Sequence, residues 1–273
     1  MRTRMKIIVT GATGGMGATA VEALAKEGFP VLMACRNLKK AETLRAGILS
    51  RIPGADLEIG LLDLSSLASV RAFADSIRPG SVSALFNNAG VISRGFSLTG
   101  DGLENTFSVN YFGPWLLTRL LLPKLPQDAH IVNMVSLSCR FVSIDDTSLR
   151  PTEKDFRQLG TYARAKRAMV SFSQELARRN PLLHVNMADP GVVATDMIDL
   201  GRWFDSLADT LFKPLCKTPQ AGVQPALRAL SEEKRNCYYV GKQCNPIPAR
   251  YINPSLDERI WEETQKIIKP SSI

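Results

Sequence analysis

Short runs that are predominantly apolar on both faces recur along the chain at residues 6–9, 31–34, 57–61, 84–86, 130–135, 184–188 and 238–241. A strand with one wet face alternates polar and apolar residues, so uninterrupted runs imply a sheet covered by helices on both sides. Between them, at 15–27, 39–49, 65–77, 103–122, 162–179 and 220–232, lie longer stretches of helical character. Ser65 and Ser66, after Asp63, offer an N-cap for the third of these. Alternating strand and helix is the signature of βαβ units. It predicts an α/β fold with one doubly wound domain over residues 1–273 and a seven-stranded parallel sheet flanked by helices. Two regions break the rhythm. Residues 140–160 are polar and turn-rich and read as an insertion beside the substrate. Residues 192–219 carry Met197, Leu200, Phe204, Leu207, Leu211 and Leu215 at helical spacing and read as a lid with one broad apolar face.

Composition narrows the function. The hydrophobic share of 45% and charged share of 22% are those of an ordinary globular chain and exclude disordered, collagenous and coiled-coil classes. The net charge of +8 first suggests an acidic partner. It is spread evenly, however, and the longest basic runs are pairs such as Lys39-Lys40 and Lys234-Arg235, so a nucleic-acid arm is not expected. Five widely spaced Cys with no C-x-x-C, beside only two His, argue against a disulfide framework or zinc site and for a reducing compartment. His130 and His184 sit inside apolar runs and are expected to fill core strands. The longest apolar candidate, 111–122, is broken by Gly113, Pro114 and Arg119, so no transmembrane segment is expected. The N-terminus runs directly into the first strand, leaving no secretory segment, and the expected location is cytoplasmic.

The chemistry begins at TGATGGMG, Thr10 to Gly17, which follows the first strand and opens a helix. Glycines there admit a pyrophosphate close to the backbone, and the free N–H groups of the helix start face it. The spacing of Gly11, Gly15 and Gly17 is G-x-x-x-G-x-G rather than the commoner G-x-G-x-x-G. At the end of the second strand, where an acid would bind the ribose hydroxyls of NAD, stand Cys35, Arg36 and Asn37. The Arg36 guanidinium, with Lys39 and Lys40 following, suits a 2′-phosphate, so NADP(H) is expected over NAD(H). Further on, Tyr162 and Lys166 stand four residues apart on one helix face, where an ammonium can lower the pKa of a phenol. Such a pair is common by chance and gains meaning only beside the glycine loop.

Taken in order, these motifs resemble the short-chain dehydrogenase/reductase family over nearly the whole chain. TGATGGMG resembles its T-G-x-x-x-G-x-G loop, with Gly11, Thr13, Gly15, Met16 and Gly17 toward the cofactor. Asp63 and Leu64 resemble its adenine-contacting pair, and Asn87-Asn88-Ala89-Gly90 its N-N-A-G turn. Pro190, Gly191, Val193 and Thr195 resemble the motif after strand six. The resemblance implies a Rossmann fold and a catalytic set of Asn110, Ser136, Tyr162 and Lys166. In it Tyr162 exchanges the proton with the substrate oxygen and Ser136 hydrogen-bonds that oxygen. Lys166 lowers the pKa of Tyr162 and holds the nicotinamide ribose, and Asn110 supports a proton-relaying water. Ser138 competes with Ser136 for the serine role. The long gap between Ser136 and Tyr162, with ACRN and LLDLSSLASVR, resembles the retinol dehydrogenase and protochlorophyllide reductase branch. The implied function is NADP-dependent hydride transfer to or from a small carbonyl or alcohol, expected to be apolar because the lid carries Trp203 and Phe204 and no basic cluster. The alternative is a catalytically silent, NADP-sensing regulatory protein on the same fold. Relatives pair through the helices carrying Asn110 and Tyr162, so a homo-oligomer is expected.

Overall fold

A computed structural model describes residues 5–193 and 217–268. Eight strands form one sheet: β1 (Lys6–Thr10), β2 (Val31–Cys35), β3 (Leu57–Leu61), β4 (Val82–Asn87), β5 (His130–Met134), β6 (His184–Asp189), β7 (Tyr238–Val240) and β8 (Gln243–Asn245). Their order is β3-β2-β1-β4-β5-β6-β7-β8, and every pair is parallel except β7 with β8. The seven expected strands are present. The eighth is a three-residue antiparallel edge whose exposed and half-buried QCN carries no apolar run to announce it. The order reverses between β1 and β4, and that reversal opens a crevice beyond the carboxyl ends of the strands.

Both faces of the sheet are covered. On one lie α1 (Gly15–Lys26), α2 (Leu38–Arg51) and α7 (Pro219–Ser231) over Val9, Met33, Phe86 and Val132. On the other lie α3 (Leu67–Ser76), α4 (Asn105–Phe107), α5 (Gly113–Leu121), α6 (Gln158–Arg179) and α8 (Pro254–Ile268) over Ile8, Leu85, Ile131 and Val185. Strands buried on both faces are why the sequence lacks alternation. His130 and His184 occupy register-paired positions on β5 and β6, their rings stacked 4.4 Å apart.

Four boundaries differ from the sequence pattern. Ser66 alone caps α3, its Oγ accepting from the Ser69 N–H at 3.2 Å, so the helix starts at Leu67. The 103–122 stretch divides into α4, a π-helical turn at Ser108–Phe112, and α5. Helix α6 begins at Gln158, a turn before Tyr162, after 3-10 turns at Leu137–Phe141 and Asp146–Leu149 in the insertion. Helix α8 was not expected, although Leu256, Ile260, Trp261, Thr264 and Ile268 are buried along one of its faces. The apolar positions of the expected lid lie outside the described residues.

Cysteine usage also differs. Cys237 and Cys244 are joined by a disulfide across the β7–β8 hairpin, where antiparallel pairing brings together two residues that sequence spacing keeps apart. Cys35 and Cys139 are buried and free. Among the described residues no cluster of metal-ligating side chains occurs, and no helix is long and apolar enough to cross a membrane.

Candidate active site

The carboxyl ends of β1, β4, β5 and β6 bring the predicted residues to one edge of the sheet. At β1, the glycine loop turns so tightly that a Cβ on Gly17 would lie 2.1 Å from the Gly11 carbonyl oxygen. Helix α1 starts there with no side-chain cap, leaving its first N–H groups open to an anion. Thr10 ties this loop to the turn after β4, its Oγ1 accepting from the Asn88 and Ala89 N–H groups at 3.0 Å each. Asn88 Nδ2 donates to the Thr10 carbonyl at 2.9 Å, while Asn88 Oδ1 is buried with no partner among the described residues. An orphaned buried acceptor beside a glycine cradle and an open helix start is a site made for a ligand carrying both donors and phosphate. A dinucleotide fits this donor set. Thr13 and Gly15 lie on the outer side of the loop, and Ala89 and Gly90 continue the opposite wall.

The loops after β2 and β3 are more open. Arg36 and Asn37 are exposed beyond β2, with Asn37 capping α2 through the Lys40 N–H at 2.9 Å. Asp63 is half-buried beyond β3, where one carboxylate oxygen accepts from the Ser65 N–H and hydroxyl at 2.9 and 2.6 Å. Leu64 is buried, and its carbonyl accepts from Ser108 Oγ at 3.3 Å.

At the opposite end the reactive groups converge. Ser136 follows β5, and its Oγ accepts from Ser138 Oγ at 2.9 Å and from the Ser138 N–H at 3.2 Å. Ser136 is also hydrogen-bonded to the Tyr162 phenol, so Ser136 stands between Tyr162 and Ser138. Lys166 is buried on α6, its Nζ donating to the Met134 carbonyl at 3.0 Å and lying 5.9 Å from the centre of the Tyr162 ring. Burial drives the two titrations in opposite directions. It pushes the phenol of Tyr162 above its ordinary value, with the Ser136 hydrogen bond pulling partly back, and pushes the Lys166 amine down to about 8. The expected lowering of Tyr162 by Lys166 is not found: desolvation dominates, and Ser136 is the group that pulls the phenol down.

Asn110, expected to support a proton-relaying water, has its side chain fully engaged by its own chain. It is fully buried in the π-helical turn. Its Nδ2 donates to the carbonyls of Val91 at 2.8 Å and Thr106 at 2.7 Å, and its Oδ1 accepts from the Val91 N–H at 3.3 Å. The side chain braces Val91, in the loop that continues the Asn88-Ala89-Gly90 turn. A second buried ladder, absent from the sequence reading, fixes the floor: Asn87 Nδ2 donates to Thr118 Oγ1 and Asn133 Oδ1, and Asn133 Nδ2 donates to Ser173 Oγ. No local motif marks it, because its members come from four separate elements.

A cavity of about 520 Å³ joins the two ends, lined by Met16 of the glycine loop, Ser136, Tyr162, Pro190, Gly191 and Val193. Thr195 lies outside the described residues. The rest of the wall is mainly apolar, and Phe141, Leu159 and Val192 stand exposed at its rim. A second cavity of about 450 Å³, among Arg150, Asp155, Arg157 and Arg164 of the insertion, contains none of the predicted catalytic groups.

Comparison with known proteins agrees with this geometry. The family described as short chain dehydrogenase matches residues 5–202. Human retinol dehydrogenase 13 is 33% identical over 96% of this chain and 84% of its own length. The human WW domain-containing oxidoreductase is 34% identical over 96% of this chain and 68% of its own length. Among solved structures, a short-chain dehydrogenase from Sphingobium yanoikuyae in complex with NADPH superposes with a TM-score of 0.68 at 20% identity, over 97% of this chain and 96% of its own. With a matched profile, a doubly wound sheet and relatives named as retinol dehydrogenases, the chain belongs to the short-chain dehydrogenase/reductase family, in its retinol dehydrogenase-like branch.

Proposed function

We propose that the protein is an NADP-dependent oxidoreductase interconverting an apolar alcohol and its carbonyl compound, with Tyr162 as the proton donor and acceptor. The observation that carries this reading is the meeting of Ser136 and Tyr162 in one largely apolar cavity that reaches the glycine loop through Met16, with the buried Lys166 ammonium 5.9 Å from the Tyr162 ring. A nicotinamide cofactor bound there supplies or accepts the hydride. The chain's own residues do the rest. Ser136 and Tyr162 hold the substrate oxygen between two hydroxyls, and Tyr162, its proton retained by burial, gives that proton up as the oxygen gains charge. Lys166 places a positive charge beside the phenolate left behind. Asn110, through its bonds to Val91, keeps the segment after the Asn88-Ala89-Gly90 turn in place. The residues proposed to hold the cofactor are the loop from Gly11 to Gly17, Asp63, Leu64, Asn88 to Gly90, and Pro190 to Val193, with Arg36 on the 2′-phosphate.

The exposed guanidinium of Arg36, and solved relatives in complex with NADP or NADPH, support NADP over NAD. The apolar rim, and relatives named for retinol, support an apolar substrate. The test is a panel of aldehydes, ketones and alcohols followed by NADPH absorbance. Tyr162→Phe should abolish turnover while retaining cofactor binding. Arg36→Ala should weaken the NADP preference by roughly tenfold to a hundredfold, the worth of one charge-assisted contact. Wild-type protein that binds NADPH but turns over no member of the panel would instead support the silent, cofactor-sensing alternative.

A further inference from the structure

Beneath the cavity lies a carboxylate that the reaction scheme does not use. Asp189 ends β6 and is 3% exposed. One of its oxygens accepts from the Gly191 N–H at 2.8 Å and the other from the Tyr238 hydroxyl at 2.9 Å. Both donors are neutral. Of the basic groups near it, Lys166 donates to the Met134 carbonyl and Arg167 to Ser171 Oγ and the Tyr251 carbonyl, while Lys217 Nζ lies on the far side of Gly191, 3.0 Å from where a Cβ there would stand. Asp189 is a buried carboxylate with no ion pair among the described residues. Gly191, which it holds, has φ +73° and lines the cavity together with Tyr162. A buried carboxylate is costly to keep, and a hydrogen-bonded Asn would hold the same turn without that cost.

We propose that Asp189, held by Tyr238, is an electrostatic positioning residue whose negative charge beneath the Pro190-Gly191 turn favours the oxidised cofactor over the reduced one. This inference rests on the reading of the site as a nicotinamide site. Hydride must reach the carbon whose oxygen Tyr162 serves, so the nicotinamide shares the cavity that Gly191 lines. The oxidised ring is cationic and the reduced ring neutral, and a fixed anion in a low-dielectric wall stabilises only the former. Asp189 also opposes ionisation of Tyr162, as a negative charge acting on the same cavity should.

The experiment is direct binding of NADP⁺ and NADPH, followed by protein fluorescence and calorimetry, in wild type, Asp189→Asn, Asp189→Ser and Tyr238→Phe. Circular dichroism and thermal melting verify that each variant folds. The Asn and Ser variants should lose affinity for NADP⁺ relative to NADPH by roughly threefold to tenfold. Tyr238→Phe, which leaves the charge in place, should keep the wild-type ratio within about twofold. Equal weakening of both forms in the neutral variants, or no change in either, would overturn the proposal and leave Asp189 a turn brace. Failure of the wild-type chain to bind either form would defeat the nicotinamide-site reading itself, a distinguishable result.

Discussion

Lys166 and Tyr162 are coupled through burial more than through each other. With the amine brought down to about 8, Lys166 is charged at neutral pH and loses its proton as pH rises through that value. Reduction needs the charged form, which steadies the phenolate once Tyr162 has given up its proton. Carbonyl reduction should therefore fall above pH 8, by about tenfold per unit once the limb is established. Lys166→Arg keeps its charge at every accessible pH and should flatten that limb, at a lower absolute rate, in a pH profile of NADPH consumption. These two residues were legible in the sequence because their spacing places them on one helix face, and the neighbouring glycine loop gave the pair its meaning. Asp189 and Tyr238 were not, since nothing local distinguishes a carboxylate at a strand end from any other. Ser138 was weighed as the reactive hydroxyl, and only its place behind Ser136 separates the two.

At the scale of elements, legibility followed burial. Strands covered on both faces left continuous apolar runs, and all seven were read within a few residues of their ends. The polar edge strand β8 left no such trace. The π-helical turn was equally hidden, because the apolar pattern of 103–122 continues through it while the backbone widens. That turn carries Asn110 and brings its amide to Val91, so an irregularity unseen in the pattern sets one wall of the site. The glycine loop was read correctly as an element, but its tightest constraint was not visible. Gly17→Ala would place a methyl 2.1 Å from the Gly11 carbonyl, with Asn88 Nδ2 only 2.9 Å away. The loop would have to open, and we expect at least about a tenfold loss of cofactor affinity in fluorescence titration, with a melting temperature lower by a few degrees.

For the molecule as a whole, α8 bears on the expected pairing of two chains. It lies over α6 and reaches α5, the two helices through which a pair of chains was expected to meet. Trp261 packs 5.6 Å from Trp115 and 5.7 Å from Phe172, with the guanidinium groups of Arg119 and Arg179 5.0 and 4.8 Å from its ring. Thr264 Oγ1 and the Tyr111 hydroxyl share a hydrogen bond of 2.7 Å. A surface already filled by its own chain is not free for a second copy, so light scattering should give the mass of a single chain. Trp261→Ala should cost about 3–5 kcal/mol in denaturant unfolding, the usual penalty for emptying a buried aromatic site. A ribosome delivers α8 after the sheet and the catalytic residues have already left the exit tunnel. Until residues 254–268 follow, the indole of Trp115 and the ring of Phe172 face water. The nascent protein thus carries a sticky surface through most of its synthesis, and chains cut short before Pro254 should be captured by chaperones or aggregate rather than accumulate as a smaller enzyme.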